Sequence, residues 1–216
     1  MIFQNRIDAA KQLAKNLEWV KKDNPLILAI PRGGVIIGDV ISSLLNATLD
    51  IVISRKIGAP HNSELAIGAV MHDVSYFPND DITRMLNVSQ KYIDSEISAQ
   101  TKEIERRLMK FRGTKEYHLE GKTIVLVDDG IATGATMFVV IQWIKKQKPK
   151  QLIVAIPVGP KETINKLSRI VDKVVVLQSP VYFNAVGEFY HEFEQVKDLQ
   201  VQEIMRKHGY NIKLME

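Results

Sequence analysis

The sequence predicts an α/β fold: a mostly parallel, open sheet with helices on both faces, carrying a C-terminal hood. Short apolar, β-branched runs alternate along the chain with stretches of helical periodicity, the pattern of strand–helix–strand units. The runs are apolar at successive positions, so their strands are buried on both faces. No composition shift, repeat or low-complexity tract divides the 216 residues, which are enough for one domain with a real core. The expected organisation is a single domain over residues 1–216, with the hood at about 178–216.

The opening segment MIFQNRIDAAKQLAKNLEWVKK has polar residues at every third or fourth position. It predicts an amphipathic helix, not a secretory leader, and nothing in the chain approaches the apolar length of a membrane span. Leu26–Ile30 predicts the first strand, followed by PRGG and a helix over Val35–Leu45. Leu49–Ser54 predicts a second strand, followed by the polar, Gly- and Pro-marked stretch RKIGAPHNSELAIGAV. Asp81–Phe111 is a charged helical region broken near Leu86–Ser89, with Ser89 as the cap of the longer part. The apolar side of that part, through Tyr92, Ile97, Ile104, Leu108 and Phe111, either covers the sheet or meets a second subunit. Strands at Thr123–Val127, Leu152–Pro157 and Lys173–Leu177 alternate with helices at Met137–Lys146 and Thr163–Ile170. An aromatic, irregular segment at Val181–Tyr190 and a helix over Asp198–His208 complete the chain.

Composition narrows the function classes. The chain lacks cysteine, which excludes disulfides, thiolate catalysis and cysteine-bound metal, and fits a cytoplasmic location. The formal charge is +4, and its densest run, KKQKPK at Lys145–Lys150, falls at a helix end, where cations complement the dipole. That placement argues against a nucleic-acid partner, which would need the excess charge on one face.

Ligands of open parallel sheets bind beyond the carboxyl ends of the strands. Three segments there carry unusual residues: PRGG, SRKIGAPHNSE and DDGIATGAT. In the third, Gly130 and Gly134 permit close backbone approach, while Thr133 and Thr136 offer hydroxyls. The segment opens a helix whose first amides lack internal partners, which makes a phosphate cradle. It is neither G-x-x-x-x-G-K-[ST] nor G-x-G-x-x-G. Two adjacent acids beside a phosphate pocket repel the anion unless the ligand also carries vicinal hydroxyls for carboxylates to accept from. A shared Mg²⁺ would relieve the remaining repulsion. A sugar phosphate meets both requirements.

The stretch VLVDDGIATGATM resembles the phosphoribosyl-pyrophosphate signature of the type I phosphoribosyltransferases. With RKIGAP…ELAIGAV and YFNAVGEFYHEFEQV, the likeness extends over nearly the whole chain to a predicted subfamily of unassigned acceptor. The resemblance implies that Asp128 and Asp129 bind the ribose hydroxyls, beside Gly130, and that Ala132, Thr133, Gly134, Ala135 and Thr136 wrap the 5-phosphate. Arg32, Gly33 and Gly34 would form the pyrophosphate loop. SRKIGAP is similar to the start of the family's mobile lid, here about 55–70, with Gly58 and Pro60 marking a stretch that could pivot; its Arg55 and Lys56 would meet the departing pyrophosphate, while His61 is an ordinary surface residue. Mg²⁺ would be held mainly through the ligand, with Asp128 or Asp129 as its protein contact. Hypoxanthine-guanine members carry an aspartate where this chain has Ala132. The adenine members carry alanine and take a lid glutamate as acid or base, the place Glu64 would fill.

The expected reaction is transfer of a 5-phosphoribosyl group from 5-phosphoribosyl 1-pyrophosphate to a small nucleobase-like acceptor, releasing pyrophosphate. Phe183 would stack on the acceptor, with Phe189 and Tyr190 packing the hood onto the body. The resemblance also implies a homodimer. The rival expectation is a non-catalytic regulator of the same fold that binds the donor or a nucleotide. Retention of Arg55 and Lys56 favours the enzyme.

Overall fold

The structure, a computed structural model, describes residues 2–212 apart from the side chain of Glu64; residues 213–216 of the expected hood lie outside the described residues. Strands β1 (Leu26–Ala29), β2 (Thr48–Ile51), β6 (Thr123–Val127), β7 (Gln151–Val158) and β8 (Lys173–Gln178) form one parallel sheet in the order β2-β1-β6-β7-β8. Strand period divides its side chains between two layers. Ile27, Ala29, Val125, Val127, Ile153 and Ala155 face α1 (Arg6–Asn16), α2 (Gly33–Leu45), α4 (Gln90–Phe111) and α7 (Asp198–Lys207). Leu28, Ile124, Leu126, Val154 and Ile156 face α5 (Ala135–Lys146) and α6 (Lys161–Leu167). Burial on both faces explains why the sequence shows unbroken apolar runs there.

The helix boundaries follow local chemistry. The Asn5 side chain accepts from the amides of Ile7 and Asp8 and so starts α1, and Ser89 accepts from Tyr92 to start α4. A short helix, α3 (Asp80–Met85), precedes the expected break. Ile93, Ile104, Leu108 and Phe111 of α4 are buried in the core of this chain, so its apolar side covers the body as one of the two expectations held.

The lid differs from its expected form. Instead of a polar loop pivoting on Gly58 and Pro60, β3 (Ser54–Ala59) and β4 (Asn62–Met71) pair antiparallel, with β5 (Tyr76–Pro78) beside them. Ile57, Ile67 and Val70 are fully buried in the core of the body. The glycines, the proline and two register shifts around Gly58 mask the alternation that would mark these strands in the sequence. The turn places His61 at φ 64° and exposed, as expected of a surface residue.

One buried ion pair fixes α4 against β2. Arg112 donates through Nε and Nη2 to both oxygens of Asp50, at 2.7 and 2.9 Å, and both side chains are under a tenth exposed. The guanidinium lies 4.1 Å over the Tyr117 ring and also donates to the Thr114 carbonyl. Arg112→Met would leave Asp50 charged and unpaired, a loss of about 3–5 kcal/mol. Urea unfolding should show that loss, and adding Asp50→Leu should restore most of it.

Candidate functional site

The strand order places a switch point between β1 and β6: the chain leaves β1 toward β2 on one side, and β6 toward β7 and β8 on the other. The two segments that follow these strands, PRGG and DDG, therefore meet at the carboxyl edge. A β-carbon on Gly33 would collide with the Asp129 carboxylate, and one on Gly34 would lie 3.0 Å from the Asp128 Cα. The glycines predicted to bare the backbone let the acid pair settle onto the first turn of α2. The Pro31–Arg32 peptide bond is cis.

The second helix terminus arrives from the other side. Gly134 caps α5 at φ 75°, a left-handed conformation that favours glycine, and the amides of Ala135, Thr136 and Met137 open the helix. Ala132 and Thr133 are exposed, and the Ala132 carbonyl accepts from the Thr163 hydroxyl at 2.9 Å, which pins the loop to α6. The site is thus an acid pair flanked by the amide-rich N-termini of α2 and α5. That arrangement suits a ligand with hydroxyls at its centre and anionic groups at its ends.

The acid pair has partners the sequence did not reveal. Arg6, the first residue of α1, donates from Nε to Asp129 Oδ2 at 2.7 Å, with both side chains largely buried. The Tyr190 hydroxyl donates to the Asp129 carbonyl at 2.6 Å, and burial, then the Asp129 charge, raises its phenol well above the usual value, keeping it a donor. The Asp129 amide donates to Asp128 Oδ1 at 2.8 Å. Burial first, and the neighbouring Asp129 charge second, push the Asp128 carboxyl well above the ordinary carboxylate value; Arg6 opposes the shift. No motif marks Arg6. In the sequence it is one of several cations on an amphipathic helix.

Arg55 and Lys56 are successive residues of β3, so their side chains leave opposite faces of the strand. Arg55 donates from Nε to Gln100 of α4 at 2.9 Å. Exposed Lys56 lines a cleft of about 460 Å³ between the lid and α5, with Ala135, Phe138 and Arg84. Arg32 forms an ion pair with Asp198 at 3.3 Å, at the start of α7, so its cation is shared with the hood side of the site. Phe183 is half-buried and stacks on Phe189 with ring centroids 5.4 Å apart, so one of its faces is already covered. Glu64 stands on β4, with its side chain outside the described residues. Among the described residues no group of three or more His, Asp and Glu is placed to hold a metal, and no helix is long and apolar enough to cross a membrane.

Comparison with known proteins agrees with this geometry. The phosphoribosyl transferase domain matches residues 2–193. Putative phosphoribosyl transferases from two strains of Mycobacterium tuberculosis are each 36% identical over 201 residues, covering 93% of this chain and 45% of the relative. The chain spans about half the length of these curated relatives. A crystal structure of a Thermus thermophilus protein aligns with a TM-score of 0.82 at 34% identity, over 96% of this chain and 99% of that one.

The raised Asp128 carboxyl has a consequence for stability. The native state holds this proton more tightly than the unfolded chain, so its ionisation costs stability. The cost begins as pH rises past the unfolded value of about 3.9 and levels off above the raised native value. Asp128→Asn removes it. The variant should melt higher than the parent at pH 7, with the gap closing toward pH 4, as followed by scanning calorimetry.

Proposed function

Because the chain belongs to the phosphoribosyl transferase family, we propose that it moves a 5-phosphoribosyl group from 5-phosphoribosyl 1-pyrophosphate to a nitrogenous acceptor, a nucleobase or a close analogue, releasing pyrophosphate. The observation that carries this reading is the Asp128–Asp129 pair seated on Gly33 between two helix N-termini. In it, the carboxylates accept from the ribose hydroxyls beside Gly130. Thr133, Thr136 and the amides following Gly134 hold the 5-phosphate, with Ala132 and Ala135 giving it room. Gly33, Gly34 and Arg32 face the pyrophosphate.

Displacement at C1 proceeds with the bond to pyrophosphate loosening, so positive charge gathers on C1 and the ring oxygen while negative charge gathers on the leaving group. The protein's contribution is alignment and stabilisation of that leaving charge. Lys56 supplies a cation from the lid, and Arg55 supports it indirectly by tying β3 to α4. Glu64 serves as the acid or base at the acceptor, and the exposed face of Phe183 supports the acceptor ring. Mg²⁺ would take most of its ligands from the donor, with Asp128 or Asp129 as its protein contact, and would neutralise pyrophosphate charge. A homodimer belongs to the same reading.

A second reading, a regulator that binds the donor without turning it over, draws support from Arg55, whose engagement with Gln100 leaves Lys56 as the lid cation facing the cleft. The two readings separate on release of pyrophosphate from labelled donor across purines, pyrimidines and small amines. Release with one class is expected; donor binding without release across the panel would favour the regulator. Asp128→Asn combined with Asp129→Asn should abolish donor binding by calorimetry. Lys56→Ala should lower kcat by about tenfold to a hundredfold, the loss of one charge-assisted contact, with a smaller change in donor affinity.

A further inference from the structure

The ion pair between Arg6 and Asp129 has no place in the reaction as derived above, yet it is among the most constrained contacts of the site. Three partners hold the Arg6 guanidinium. Nε donates to Asp129 Oδ2 at 2.7 Å, Nη1 donates to the Glu194 carbonyl at 2.8 Å, and the plane lies over the Phe193 ring with Cζ 3.8 Å from its centroid. The side chain is 11% exposed. A cation in the first turn of α1 opposes the helix dipole, so its position does not serve the helix. Arginine suits the place because its rigid planar fork can engage two acceptors at fixed angles while its face packs on an aromatic ring.

The contact also decides which part of Asp129 is available. Gly33 lies against the Asp129 carboxylate, and Arg6 Nε would lie 3.1 Å from a β-carbon placed on that glycine. Oδ2 is committed to Arg6, and the carboxylate also adjoins the Asp128 side chain, so a ligand would meet it through the other oxygen in exchange for that neighbour. Hood and N-terminus are tied around the pair: Phe3 donates to the Phe189 carbonyl, and His191 and Glu192 donate back to the carbonyls of Phe3 and Gln4.

We propose that Arg6 is a positioning residue for the sugar, holding the Asp129 carboxylate in one orientation so that its second oxygen meets a ribose hydroxyl. The proposal rests on the ribose role assigned above to Asp129. It assigns the N-terminal helix, remote in sequence from the signature, a direct part in donor affinity. Because Arg6 acts through Asp129 and not on the reacting atoms, its loss raises the KM for the donor and leaves kcat at saturation near that of the parent.

A double-substitution cycle on donor binding tests this, using calorimetry with 5-phosphoribosyl 1-pyrophosphate and Mg²⁺. Arg6→Ala should weaken binding roughly 10–100-fold in the parent and produce almost no further loss in an Asp129→Asn background. Equal losses in the two backgrounds would overturn the proposal, since a merely structural arginine would act independently of Asp129. Arg6→Lys retains the charge without the fork and should recover only part of the affinity, and it serves for the cycle if Arg6→Ala does not fold. Added guanidinium should restore binding to Arg6→Ala but not to the double variant. Failure of the parent itself to bind the donor would sink the ribose reading and this proposal together, whereas parent binding with an additive cycle sinks this proposal alone.

Discussion

Two carboxylates on adjacent residues at the end of a buried strand repel each other, and much of the architecture around them compensates that repulsion. Asp129 turns onto Gly33 and takes the Arg6 guanidinium; Asp128 accepts from the Asp129 amide and, being buried, ionises less readily than an ordinary carboxyl. Each compensation recruits a different part of the chain. Arg6 brings the N-terminal helix, and Tyr190, bonded to the Asp129 carbonyl, brings the hood. Phe3 is buried against Tyr190, their ring centroids 5.4 Å apart, so the two recruits also secure one another. The hood therefore sits over the site as part of the same arrangement that makes the acid pair tolerable. An acid pair of this kind is also a store of unfavourable free energy that a ligand with hydroxyls and a cation can relieve on binding.

The sequence showed the sheet and the signature because both are local. Runs such as Ile124–Val127 are apolar at every position since both faces of the strand are covered, and Gly134 stands where the chain must turn left-handed into a helix. The helix caps at Asn5 and Ser89 are likewise read from a few neighbouring residues, and the second of them was. What escaped depends on residues far apart in the chain. Arg6 meets Asp129 across more than a hundred positions, and nothing near Arg6 distinguishes it from the other cations of its helix. The Arg112–Asp50 pair escaped for the same reason. The lid was misread from local cues: Gly58 and Pro60 read as flexible punctuation, when Ile57, Ile67 and Val70 were already the inward face of a small sheet.

That sheet changes how the lid can work. A loop pivoting on Gly58 would carry Arg55 and Lys56 in one mobile segment, whereas a paired strand holds their backbone in place and sends the two side chains to opposite faces. The base of the hairpin is anchored as well: Arg55 is bonded to Gln100, the Tyr92 hydroxyl donates to the Gly58 carbonyl at 3.1 Å, and Ile57 has no exposed surface. Moving β3 as a body would break these contacts and expose its buried apolar side chains, a cost of about 1.5–3 kcal/mol for each large one. The part free to move cheaply is the tip beyond Gly58, where Pro60, His61 and Ser63 lack that burial. Lys56 is then a cation stationed in advance at the cleft beside Ala135. Under the proposed transfer, a site arranged this way would stabilise a leaving anion through charge placed before the ligand arrives. It also explains why the hairpin is buried in the core of the body while its tip stays polar and exposed.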